Sequence, residues 1–229
     1  THIIVTHTHM DHSPLAAPLK EHTGATIYAE GPHRDSRKLY LGEINSLDAA
    51  GDKEFMPDVQ VKHGDIICGK DWKLETILTP GHAANHACFA LLDSDIMFSG
   101  DHVMGWATSI VAPPDGSMAD YMRSLEIMAE RHESIYLPGH GGKLEKAREF
   151  VRALRAHRKM RETAVLSRIR SGDKTIPDIV SVIYKDTDPR LHGAAGLSVF
   201  AHIEDLVEKK LISCEGNPSL NSIYEAIAV

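Results

Sequence analysis

Six residues near the start of the chain constrain it more than any other feature. His7-Thr8-His9-Met10-Asp11-His12 packs three imidazoles and a carboxylate directly after the β-branched run Thr1-His2-Ile3-Ile4-Val5-Thr6. Even with 15 histidines in 229 residues, this spacing arises by chance only roughly 0.005 times in such a chain. Side chains two apart in an extended segment share a face, so His7 and His9 project together, whereas Asp11 and His12 lie past the bend and face a second point. The pattern implies two metal ions rather than one.

Three further turns carry matching chemistry, and each follows a predicted strand: Thr79-Pro80-Gly81-His82, Ser99-Gly100-Asp101-His102 and Pro138-Gly139-His140-Gly141. Gly31-Pro32-His33 is a weaker fourth. Ligands on Gly-flanked loops at strand ends sit on a rigid scaffold and stay open to substrate. Seven groups then divide into His7, His9 and His82 on one ion, Asp11, His12 and His140 on the other, and Asp101 between them. All are N or O donors, which favours two Zn²⁺ per chain, with Fe or Mn compatible. His86 reads as a partner that orients a ligating imidazole. Trp106, in the loop of residues 104–116 beyond Asp101, reads as a substrate contact.

The remaining pattern predicts alternating layers. Short strands are expected at 1–6, 25–29, 59–61, 72–78, 86–92, 95–99 and 135–137, and helices at 13–24, 117–132 and 143–170. A helix at 176–184, a helix at 197–210 and a hairpin from residue 211 to the end follow, an order that suggests a winged helix. Domains are expected at 1–160 and 161–229. The first strand is apolar on both faces and opens the chain without a lead-in or initiator Met, so strands before it are expected to be missing.

Charge and cysteine content narrow the partners. The net charge is −7 and no apolar run approaches the roughly 18–20 residues of a membrane span, so neither a membrane nor a wholesale grip on nucleic acid is expected. Cys68, Cys88 and Cys214 form no close pair, which fits a reducing cytoplasm. Residues 143–170 hold ten Lys/Arg against three Asp/Glu, a basic helix that could lie along a phosphate backbone. The tail from Gly172 is acidic, with Glu204, Asp205 and Glu208 on its second helix, and reads as a packing or homodimerisation module.

These residues resemble the metallo-β-lactamase fold hydrolases, whose motifs are matched by His7 to His12, His82, Asp101 and His140. The order of turns and the winged-helix tail look most like the lactamase-beta-like group with a C-terminal winged helix, over nearly the whole chain. The resemblance implies an α+β fold, a four-layer αββα sandwich with both metals at one sheet edge, and N-terminal strands ahead of the first motif. True zinc β-lactamases lack the Asp101 bridge, and flavodiiron proteins have Glu where His9 stands. Glyoxalase II-like relatives share all seven ligands but usually have a Gly pair where this chain has Pro14-Leu15. The function implied is a dinuclear zinc-dependent hydrolase, in which a metal-bound hydroxide oriented by Asp11 and Asp101 attacks an ester, thioester, lactone or phosphodiester. A small-molecule substrate is favoured over RNA. The alternatives are an Fe(II) persulfide dioxygenase-like enzyme using His7, His82 and Asp101, and a single-stranded RNA endonuclease.

Overall fold

In the computed structural model, which describes residues 1–227, the β-branched opening becomes β1 (His2–Ile4). It pairs in parallel with β2 (Thr26–Ala29), which pairs in parallel with β3 (Val59–Gln60). Within this sheet β1 is an edge strand. Between β1 and β2 lies α1 (Ala16–Thr23), ended as expected by Gly24 in the left-handed region at φ 70. Its start differs from expectation. Ser13 does not cap the helix, because its hydroxyl donates instead to Asp52 Oδ2 at 2.7 Å, and Leu15 stands at the cap position without a side-chain bond.

The second sheet has six strands in sequence order: β4 (Ile66–Cys68), β5 (Lys73–Leu78), β6 (Ala87–Leu91), β7 (Ile96–Gly100), β8 (Ile135–Pro138) and β9 (Leu144–Glu145). All neighbours are antiparallel except β7 and β8, which run parallel across a helical crossover. Strands β4 and β9 are absent from the sequence-based expectation. Leu144, which by its spacing belongs to the helical stripe, pairs instead with Tyr136. The chain turns at Lys146, φ 56, before the helix begins.

Burial shows why the layers stack. Ala16 of α1 packs against Ile27 and Ala29 on the outer face of the small sheet. Ile67, Leu74 and Phe89 of the large sheet meet Val61 and Ile4 between the sheets. On the other face, Ile77, Cys88, Met97 and Tyr136 are covered by α2 (Met118–Glu130) and α3 (Ala147–Arg170) through Leu125, Met128 and Val151. Each such apolar side chain fully removed from water contributes about 1.5–3 kcal/mol. The order α, β, β, α is the expected four-layer sandwich. Ser117 caps α2 by accepting from the Asp120 N–H, as its pattern predicted.

The tail folds as α4 (Ile176–Ile183), α5 (His192–Glu208) and the hairpin β10 (Ile212–Cys214) with β11 (Tyr224–Ala226). This is the helix, helix, hairpin order of a winged helix. α5 starts five residues before the predicted position, and the last two residues of the predicted final segment lie outside the described ones. Val165 and Ile169 of α3 join Ile179, Phe200, Leu206 and Tyr224 in the tail's own core. Among the described residues, no helix is long and apolar enough to cross a membrane.

Candidate metal centre

Loops after β1, β5, β7 and β8 converge at one edge of the sandwich. The Ala87 N–H donates to Thr6 O at 2.8 Å and so fastens the small sheet to the large one beside the first motif. Beyond Thr6 the chain folds back, with the N–H groups of His12 and Ser13 both donating to His9 O. That reversal turns His12 toward the loops of the other sheet.

His7, His9 and His82 bring ring nitrogens within 4.8 Å of one another. Their tautomers follow from their other contacts. His82 Nδ1 donates to the Ile110 carbonyl at 2.6 Å, and since a carbonyl only accepts, Nε2 carries the lone pair; that nitrogen is buried without a partner. His9 gives Nε2 to Asp115 Oδ2 at 2.7 Å, which leaves Nδ1 turned inward, 3.1 Å from His7 Nε2. Burial, reinforced by the neighbouring imidazoles of His86 and His82, holds His7 well below the usual histidine range. His82 is pushed down to about 4, first by burial and then by His9. Both therefore stay neutral at pH 7, as cation ligands must.

Asp11, His12 and His140 form a second such group. His140 Nε2 stands 3.0 Å from Asp11 Oδ2. Asp101 joins the two groups: its Oδ2 is 3.5 Å from His12 Nε2, 3.4 Å from His140 Nε2 and 3.8 Å from His82 Nε2. Burial would raise the Asp101 carboxyl, but the nearby His12 imidazole, followed by those of His82 and His140, holds it below its ordinary value. For His12 burial opposes protonation, and Asp101 followed by Asp11 outweighs it, so its pKa is raised. Two carboxylates among imidazoles, with His12 Nε2, His82 Nε2 and Asp101 Oδ1 buried and unpartnered, make an arrangement that is costly unless cations fill it. The donor set could hold metal cations. The glycines of the turns serve close approach: a Cβ on Gly139 would lie 2.4 Å from Asp101 Oδ1 and 2.7 Å from His12 Cε1.

His86 sits behind the cluster. It accepts the Asp101 N–H on Nε2 at 3.1 Å, so its Nδ1 carries the proton and donates to Thr79 Oγ1 at 2.8 Å. Trp106 is three-quarters exposed on the rim and stacks on His140 with ring centroids 6.3 Å apart. Together with Met10, Leu47, Met104, Ile110 and Ala112 it lines a cleft of about 630 Å³ over both groups.

Sequence reasoning missed several supporting residues. Asp115, which holds His9, carried no signal beyond the turn-like Pro113-Pro114-Asp115-Gly116. Ser109 donates to the carbonyls of Asp101 and His102, the latter at 3.1 Å, and Tyr121 donates its hydroxyl to His102 O at 2.8 Å. Buried Arg158, from α3, donates to Ser109 O and lies over the Tyr121 ring. The basic helix is thus partly inward-facing. Of its other cations, Arg155 pairs with Glu126, Lys159 with Glu162 and Arg168 with Asp173, while Lys143, just before the helix, pairs with Glu145.

Residues 1–140 match the Metallo-beta-lactamase superfamily, and residues 175–217 match the Beta-lactamase associated winged helix domain. A lactamase-like protein of Aspergillus niger is 23% identical over 240 residues, covering 96% of this chain and 66% of that protein. An atrochrysone carboxyl ACP thioesterase of Pseudocercospora fijiensis is 27% identical over 193 residues, covering 80% of this chain and 50% of that protein. This chain therefore spans one half to just under two thirds of the length of these relatives. A metallo-beta-lactamase family protein from Thermus thermophilus shares the fold, with a TM-score of 0.77 at 23% identity over 99% of this chain and 80% of that one.

Proposed function

The chain belongs to the metallo-beta-lactamase superfamily, and from that premise we propose that it is a two-metal hydrolase, with zinc as its ions, acting on the thioester or similarly activated ester of a small, largely apolar acyl group. The observation that carries this reading is the place of Asp101 Oδ2, within 3.4–3.8 Å of imidazole nitrogens from both groups. His7, His9 and His82 would hold one ion, Asp11, His12 and His140 the other, with Asp101 shared. Bound there, the ions supply Lewis acidity and bring the pKa of water toward 7.

The chain's own residues do the rest. Asp11, its side chain 60% exposed at the cleft mouth, has room to accept a proton from an incoming water. Asp101, 7% exposed, is held rigid by His86 and Ser109. Met10, Leu47, Met104 and Ile110 cover the acyl part and exclude water from it. The thioesterase name of the Pseudocercospora fijiensis relative supports the substrate class.

The dioxygenase reading would leave His9, Asp11, His12 and His140 without a role. RNA cleavage needs unpaired cations beside the cleft, whereas several of those on α3 are already engaged. A cytoplasmic setting, suggested by three free cysteines, homodimerisation through the tail and a domain boundary within α3 near residue 160 complete the reading.

The test is a panel of acyl thioesters, lactones and single-stranded RNA, run with metal analysis and with Asp101→Ala as control. Thioester or lactone turnover with two ions per chain, lost in D101A, is the expected outcome. RNA cleavage that steepens at low salt, or one iron with no hydrolysis, would replace this reading.

A further inference from the structure

On the far side of Asp115 from His9, the structure gathers a third set of donors that neither group of the paired site uses. His33, Asp35 and Asp115 bring an imidazole nitrogen and two carboxylate oxygens within 4.8 Å of one another. They lie on two loops already joined by backbone: the Ser36 N–H donates to Pro114 O at 2.8 Å, and the Ser36 hydroxyl donates to Asp115 O at 2.7 Å.

Asp115 is the decisive member. It is 5% exposed, its Oδ2 accepts the hydrogen bond from His9 Nε2–H, and its Oδ1 is buried with no hydrogen-bond partner. A buried carboxylate oxygen left bare is costly, and a second carboxylate beside it adds like-charge repulsion. Lys53 favours the charged form of Asp35 only in part, because its ammonium is itself paired with Asp48 at 2.6 Å. His33 is built into position. Its Nδ1 stands 3.0 Å from Thr8 Oγ1, which can accept that proton and leave Nε2 bare. Its ring occupies space that only a glycine at position 51 permits, since a Cβ there would lie 2.3 Å from Cε1 and Nε2.

We propose that His33, Asp35 and Asp115 form a third divalent-cation site, suited by its one imidazole and two carboxylates to an ion such as Zn²⁺ or Mn²⁺. A cation there would tie residues 31–36 to the wall of the cleft and, through the shared carboxylate, act on the far side of His9. The site is additional to the paired one and does not depend on the substrate proposed above.

The experiment is equilibrium dialysis of the whole protein against low-micromolar Zn²⁺, with elemental analysis of wild type, Asp35→Asn, His33→Gln and His140→Ala. Asp35 is the most exposed of the three, so D35N removes one ligand without disturbing the core. The expected result is three ions in wild type and one fewer in both D35N and H33Q. H140A reports separately on the paired site, so a failure there is seen as no loss in H140A, whatever D35N does. Equal zinc content in wild type and D35N overturns the third site.

Discussion

The 2.7 Å contact between His9 Nε2 and Asp115 Oδ2 commits the imidazole to one tautomer. With Nε2–H given to the carboxylate, only Nδ1 can face His7 and His82. Such carboxylate partners fix ring orientation and raise ligand basicity, and losing them typically costs 10–100-fold in metal affinity. Asp115→Asn keeps the shape but removes the charge, so the free Zn²⁺ needed for half-maximal hydrolysis should rise by about 10–100-fold. An unchanged zinc dependence would mean that His9 needs no partner.

Gly139 offers a steric test. A methyl group there would lie 2.4 Å from Asp101 Oδ1, inside any real contact distance, while the strand before it is unaffected. Gly139→Ala should retain a cooperative melt but lose metal and at least about 100-fold of its activity, as ångström-scale misplacement of reacting groups does. Measured side by side, melting and metal content separate damage to the site from damage to the fold.

The Asp101–His102 turn is held from α2 as well as from its own loop. Ser109→Ala removes the donor to two of its carbonyls and should cost about 1–3 kcal/mol. Tyr121→Phe removes a second donor to a carbonyl that Ser109 still serves, so about 0.5–1.5 kcal/mol is expected. Urea denaturation reads both, and a larger loss in the tyrosine variant would reverse the assignment.

His202, on α5, gives a pH prediction away from the metal centre. Burial, then the Arg158 charge, pushes it down to about 3. Unfolded, it binds a proton near pH 6.5, so its neutral folded form favours folding fully above that pH. This contribution declines as pH falls from about 6.5 toward 3, by at most about 1.4 kcal/mol per unit. His202→Leu should flatten the fall in melting temperature between pH 7 and 5. Parallel curves for the two proteins would show that His202 titrates normally in the fold.

The seven groups that lie together at one sheet edge stand out in the sequence because each belongs to a local pattern: a strand, a turn and a donor at its tip. His7 and His9 share a face through the period of an extended chain, and the turns bearing His82, Asp101 and His140 each end a strand that its own composition marked. Most of the layers were legible too, because apolar and β-branched residues mark their strands and helices locally. Two-residue β9 was not, nor was the diversion of Ser13 from capping α1 to bonding Asp52, a choice made by a loop 39 residues away. Asp115, Ser109, Tyr121 and Arg158 also belong to this second class. Their partners lie 7 to 106 residues distant, and what selects them is the penalty for leaving a buried polar group unpaired, which exists only once the chain has closed around it. His33 stood out in sequence only as a weaker donor turn, and its meeting with Asp35 and Asp115 was decided by the folding together of two loops about 80 residues apart.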